Sequence, residues 1–234
     1  MVNGLQEFQL GQVITAIGGL GTAAFGLVDA SKSAFKSINR VGLKHIHAVV
    51  TDLAPEGVGC GGPVNALPQA NILNTVEANW VNGVDLASQK AIAKSLIKLH
   101  LSAASAATVA LKANVDPAVL TSVASKLASG TALSQAEGDA YSRFDLIVTA
   151  LLDEAYQVSD QVYRNWTRTL AAMIAVMLAM AGVWSLVGTQ NFWHSTDPIL
   201  ALLVGLLATP LAPIAKDLAS ALASAVNTMQ LVKK

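Results

Sequence analysis

The side chains in this sequence best suited to chemistry are few: four histidines, one cysteine and a thin scatter of carboxylates. His45 and His47 form an H-x-H pair. At that spacing on a helix the two rings point about 200° apart, so they cannot share a metal ion without unwinding. His194 and Asp197 fall in one short polar segment, where contact with lipid headgroups is the favoured reading over a local His–Asp pair. Cys60 has glycine neighbours and no adjacent base, so nothing activates its thiol. Being alone, it also leaves no intramolecular disulfide. Asp153 and Glu154 are adjacent, hence on different helix faces, and are expected to be solvated. Gly57, Gly59 and Gly62 match G-x-G-x-x-G. A dinucleotide fingerprint needs a strand before it and a helix start after it, whereas Pro55 precedes and Pro63 follows. No catalytic residue, metal or cofactor is expected, and the sequence reads as non-enzymatic.

The elements that would carry any function are apolar. Of 234 residues, 53% are hydrophobic and 13% charged, against about a quarter charged in soluble domains. A formal net charge of zero argues against nucleic acid as a partner. Leu170–Phe192 and Pro198–Ala215 flank a short turn, with Asp197 the only formal charge between Arg168 and Lys216. Each run matches the roughly 20 helical residues that cross a bilayer core. A third run, Gln9–Val28, is charge-free and rich in glycine. Its start lacks the basic region and the cleavage site of a secretory signal, so it is expected to remain. On this run Gly11, Thr15, Gly19 and Ala23 recur at four-residue steps, as do Gly18, Thr22 and Gly26. Such small faces allow helices to approach closely in lipid.

All fifteen lysines and arginines lie between Lys32 and Arg168 or from Lys216 onward. With three spans, the positive-inside rule places residues 30–168 and the C-terminus in the cytoplasm. The N-terminus and the turn Gly188–Asp197 then face outward across an inner (plasma) membrane. Trp166 at one end of the second span, and Trp184, Phe192 and Trp193 at the other, fit an aromatic belt.

Between the spans the pattern stays helical. Leu43, Ile46, Val50 and Leu53 mark an apolar stripe that extends the first span to Pro55, with Lys32, Lys36, Arg40 and Lys44 on another face. Asp85 caps a helix whose expected apolar side is Leu86, Ile92, Leu96 and Leu99. Its Lys90, Lys94 and Lys98 read as a solvated face. Asp116-Pro117 starts another helix, with Gly130 as its C-cap. Ser134 and Glu137 form a capping box. After it Tyr141, Phe144, Val148, Leu151, Ala155, Val158 and Val162 alternate three- and four-residue steps. That is the a/d seam of a coiled coil, on a helix running from Gln135 into the second span. Its expected partner is the continuation of the first span. In the third span Pro210 and Pro213 free the carbonyls of Leu206 and Thr209 and are expected to bend the helix, with Thr209 covering part of the loss.

The expected fold is therefore all-α: an integral membrane protein with three transmembrane helices and a helical cytoplasmic stalk. Its parts are a first span (1–29), a cytoplasmic helical domain (30–168), a transmembrane hairpin (169–215) and an amphipathic C-terminal helix (216–234). The expected role is a membrane scaffold, with lipids and copies of itself as partners, assembled through the small-residue faces and the seam. A channel or pore subunit is the alternative, as is an accessory subunit of a larger membrane complex.

Overall fold

The computed structural model describes residues 2–34, 36–56, 67–188, 192–193 and 195–232. All regular structure among them is helical. In chain order the helices are α1 (Val2–Ala34), α2 (Lys36–Asn39), α3 (Leu43–Leu53), α4 (Gln69–Val81), α5 (Leu86–His100), α6 (Ala103–Lys112), α7 (Pro117–Ser129), α8 (Gln135–Val187) and α9 (Asp197–Val232). They fall into two compact units, one formed by Ser37–Tyr163 and the other by the chain on either side of it. The long helix α8 contributes to both.

Residues 37–163 make a small helical domain around one apolar core. Leu43, Ile46, Val50 and Leu53 of α3 meet Ile72 and Val76 of α4, Ala93 and Ile97 of α5, Val109 of α6 and Leu120 of α7. Phe144, Val148, Leu152 and Tyr156 of α8 complete it. The helix ends follow local rules. Asp85 accepts from the Ser88 N–H at 2.9 Å, and Asp116 accepts from the N–H groups of Ala118 and Val119. Each satisfies donors that a first helical turn leaves open. Ser134 N–H donates to Glu137 Oε2 at 2.7 Å and Glu137 N–H to Ser134 Oγ at 3.4 Å, closing the reciprocal box. Gly130 ends α7 at φ +69°.

Two expectations fail in this domain. The first span does not continue unbroken to Pro55. A turn over Arg40–Gly42 precedes α3, with Gly42 at φ +89°. The apolar side of α5 is also rotated. Gln89, Ala93, Ile97 and His100 are buried, Leu86 and Leu96 only flank the core, and Leu99 is exposed.

The second unit joins α1 and α9 to α8 from Arg164 onward. Three of its helical stretches are long and apolar enough to cross a membrane: Val13–Lys32, a window within α8, and Asp197–Ile214. Gly188, at φ +79°, closes α8, and its N–H donates to the Trp184 carbonyl at 3.0 Å. Pro210 and Pro213 lie inside α9, which stays helical through both.

Candidate functional site

The packing of the apolar unit is inverted relative to a water-soluble core. Small residues are inside: Ala171, Ala175 and Ala179 of α8, Ala201, Ala208 and Ala212 of α9, and Ala24 of α1 are all buried. Large apolar residues are outside, among them Met177, Leu186, Ile199, Leu203 and Ile214. Large side chains turned outward suit a surrounding hydrocarbon, while small ones inside let backbones approach.

Two glycines mark the closest approaches. A Cβ on Gly21 would stand 2.0 Å from the carbonyl oxygen of Ala208 and 3.0 Å from Ala212 Cβ. A Cβ on Gly205 would stand 2.5 Å from Val176 Cα. Both pairs set backbone against side chain or backbone with no room for a methyl group. Ala24, Ala175 and Ala208 form the centre, flanked by Ile17, Leu20 and Ile174.

The glycine run of α1 therefore packs through a face other than either expected one. Thr15, Gly19 and Ala23 are exposed, and an added Cβ on Gly19 would meet nothing within 4 Å. The side chain at position 11 lies outside the described residues. Of the second set Gly18 is buried, but Thr22 and Gly26 are exposed, and Gly26 too has open space beside it. Thr22 Oγ1 donates to the Gly18 carbonyl at 3.0 Å. Gly19 and Gly21 are two residues apart, so they point about 200° from each other on a helix. Small size alone did not single out Gly21. The spacing of Ala171, Ala175 and Ala179, and of Ala201, Gly205, Ala208 and Ala212, was an equal signal in the sequence.

The stalk seam is also displaced. Phe144, Val148 and Ala155 are buried and Tyr141 and Leu151 pack against the core. Beyond them the buried line passes through Leu152, Tyr156 and Ser159, while Val158 is 36% exposed and Val162 only half-buried. A straight helix drifts about 20° per heptad from a 3.5-residue repeat. Over two heptads that is about 40°, which turns the buried stripe from Leu151 and Val158 toward Leu152 and Ser159 where α8 lies in a globular core instead of supercoiling with one partner. Leu152, Tyr156 and Ser159 are the residues the heptad reading missed.

Thr209 does not cover a freed carbonyl: its Oγ1 is buried and has no hydrogen-bond partner among the described residues.

Several charged residues of the helical domain are paired. Lys90 pairs with Asp153, while Lys94 and Lys98 both reach Asp145, at 3.2 Å and 2.7 Å. The expected solvated face is thus an ionic seam between α5 and α8. The Lys98 hydrogen bond holds the Asp145 carboxyl below its ordinary range. Glu137 accepts from Lys126, Ser122 and Ser134, which lowers its pKa to about 2. Arg40 pairs with Glu77 and Lys112 with Asp52.

His47 is pushed below its usual pKa by burial, against an opposing pull from Glu77. His100 Nδ1–H donates to the Leu67 carbonyl at 2.7 Å. Among the described residues no group of three or more His, Cys, Asp or Glu could hold a metal ion. Gly57, Gly59, Cys60, Gly62, Pro63 and His194 lie outside the described residues, as do the side chains of the amphipathic segment after Lys216. No protein-family model, no curated protein and no solved structure matches this chain.

Proposed function

We propose that the chain is a non-enzymatic, multi-pass membrane protein that assembles with copies of itself as a scaffold. The observation that carries this reading is the division of α1 into two faces. One, centred on Gly21 and Ala24, is filled by α9. The other presents Thr15, Gly19, Ala23 and Gly26 with open space at both glycines. A small-residue face in lipid favours another helix, because close backbone approach recovers packing that lipid tails supply poorly. The test is the mass of the detergent-solubilised protein. Gly19→Leu together with Gly26→Leu should reduce an oligomer to monomers without unfolding them. A wild-type chain already monomeric in mild detergent and in native lipid discs would sink the proposal.

The same reading places the N-terminus and residues 188–197 outside an inner membrane, supported by the one-sided distribution of basic residues. Cysteine introduced at Asn3 should react with an impermeant maleimide on intact cells, and Cys60 should not. Labelling of Cys60 alone inverts the topology.

A pore subunit is the second reading. It is favoured by the unpartnered Thr209 hydroxyl beside two prolines that free backbone carbonyls. Such groups are tolerated at membrane depth where protein or a water-filled cavity covers them. A selective conductance in planar bilayers, abolished by Pro210→Ala with Pro213→Ala, would favour the pore over the scaffold. An accessory subunit would instead co-purify with a fixed set of other proteins.

A further inference from the structure

The helical domain holds a cleft of about 290 Å³ between α5 and α8. Its walls are Ala87, Ala91 and Leu152, and its polar rim is Lys90, Lys94 and Thr149, with Asp153 beside Lys90. The volume lies at the small end of ligand pockets, and the walls are apolar with one cationic side.

The charges around it do not balance. Lys90, Lys94 and Lys98 face two carboxylates, Asp153 and Asp145. Asp153 is taken by Lys90. Asp145 is shared, and Lys98 has the better claim at 2.7 Å, with the Tyr141 ring 5.0 Å from its ammonium. Lys94 is left with long contacts, 3.2 Å to Asp145 Oδ2 and 3.4 Å to Thr149 Oγ1. The Thr149 hydroxyl accepts from Lys94 while donating to the Asp145 backbone carbonyl at 2.7 Å. An ammonium has three donors, and this one stands at the rim with its partners weakly engaged.

We propose that the cleft binds a small organic monoanion with a short apolar tail, a carboxylate held by Lys94 over Ala87, Ala91 and Leu152. The carboxylate supplies the missing negative charge and a charge-assisted hydrogen bond, and the tail displaces water from the alanine wall. The site lies wholly within residues 37–163.

The test uses the full chain in lipid discs, with hexanoate as the probe and empty discs subtracted in calorimetry. Hexanoate should bind saturably at one site, and hexanol at least tenfold more weakly. Lys94→Met should weaken hexanoate about tenfold, the loss expected when ~1.4 kcal/mol of a charged contact is removed. Ala91→Leu, which fills the cleft while keeping every charge, should abolish binding. Both variants are checked for an unchanged melting temperature, and Lys94→Gln replaces the methionine variant if that one unfolds. Absence of saturation, equal binding of hexanol, or undiminished binding by either Lys94 variant overturns the site.

Discussion

Ser159 Oγ donates to the Gly42 carbonyl at 2.9 Å, joining two residues 117 positions apart, and the pair is buried. At the same point a Cβ on Gly42 would stand 2.5 Å from the Ser159 carbonyl oxygen. The turn that ends the approach from α1 and starts α3 is thus pressed directly onto the α8 backbone. Gly42 is needed there twice, for its left-handed φ of +89° and for the missing methyl.

The two partners should differ in cost. Ser159→Ala removes one hydrogen bond, but the Gly42 carbonyl also accepts from the His45 N–H at 3.1 Å. The loss should be about 1 kcal/mol. Gly42→Ala combines about 1–2 kcal/mol of left-handed strain with a backbone clash and should destabilise more. Chemical denaturation of both variants checks the order; equal costs would mean the turn does not press on α8.

The register of α8 gives a second prediction. Leu152 is 1% exposed and Val158 is 36% exposed. Leu152→Ala should cost about 2–5 kcal/mol, the range for an emptied core leucine. Val158→Ala should cost well under that. The opposite order would restore the strict heptad and require a coiled-coil partner along that face.

What could be read from residues alone was local. Asp85, Asp116-Pro117, Gly130 and the Ser134–Glu137 box each act within one turn of their own helix, and each was legible from spacing. The apolar stretches were legible because length and charge alone decide whether a helix can cross a bilayer. Faces were less legible, because they depend on what lies opposite. Nothing local marked Gly42 within the stretch expected to be helical, since its reason for being glycine is Ser159. Gly21 was passed over for Gly19, since only the position of Ala208 separates them. Leu151 and Val158 fitted the heptad, but a straight helix in a globular core shifts burial to Leu152 and Ser159.

The close approaches of the apolar unit predict a sharp contrast among glycines. Gly21→Leu and Gly205→Leu should each separate helices whose backbones leave no room for a side chain. Overpacking of this kind costs about 1–3 kcal/mol or more. Gly26→Leu should leave the monomer's melting temperature unchanged, because nothing lies within 4 Å. Thermal unfolding in detergent at a concentration where the protein is monomeric separates the two effects. A destabilising Gly26→Leu under those conditions would show that this face already packs within one chain.

The last prediction concerns acid. Glu137 is 9% exposed and accepts from Lys126, Ser122 and the Ser134 backbone N–H, which together hold its pKa at about 2 against an ordinary 4.5. Its folded pKa is depressed, so the native state binds a proton less readily than the unfolded chain. The stabilisation is therefore fully present above pH 4.5 and is lost as pH falls through that value toward about 2. Asp145, lowered by Lys98, adds loss in the same direction. Melting temperature followed from pH 6 downward should fall steadily in the wild type. Glu137→Gln keeps the shape and can still accept from Ser122, but it carries no charge to lose. It should start from lower stability at pH 6 and show a shallower decline below pH 4.5. Parallel curves for the two proteins would mean that Glu137 titrates in the folded state as it does in the unfolded chain, and that the box joining α7 to α8 is not held by its charge.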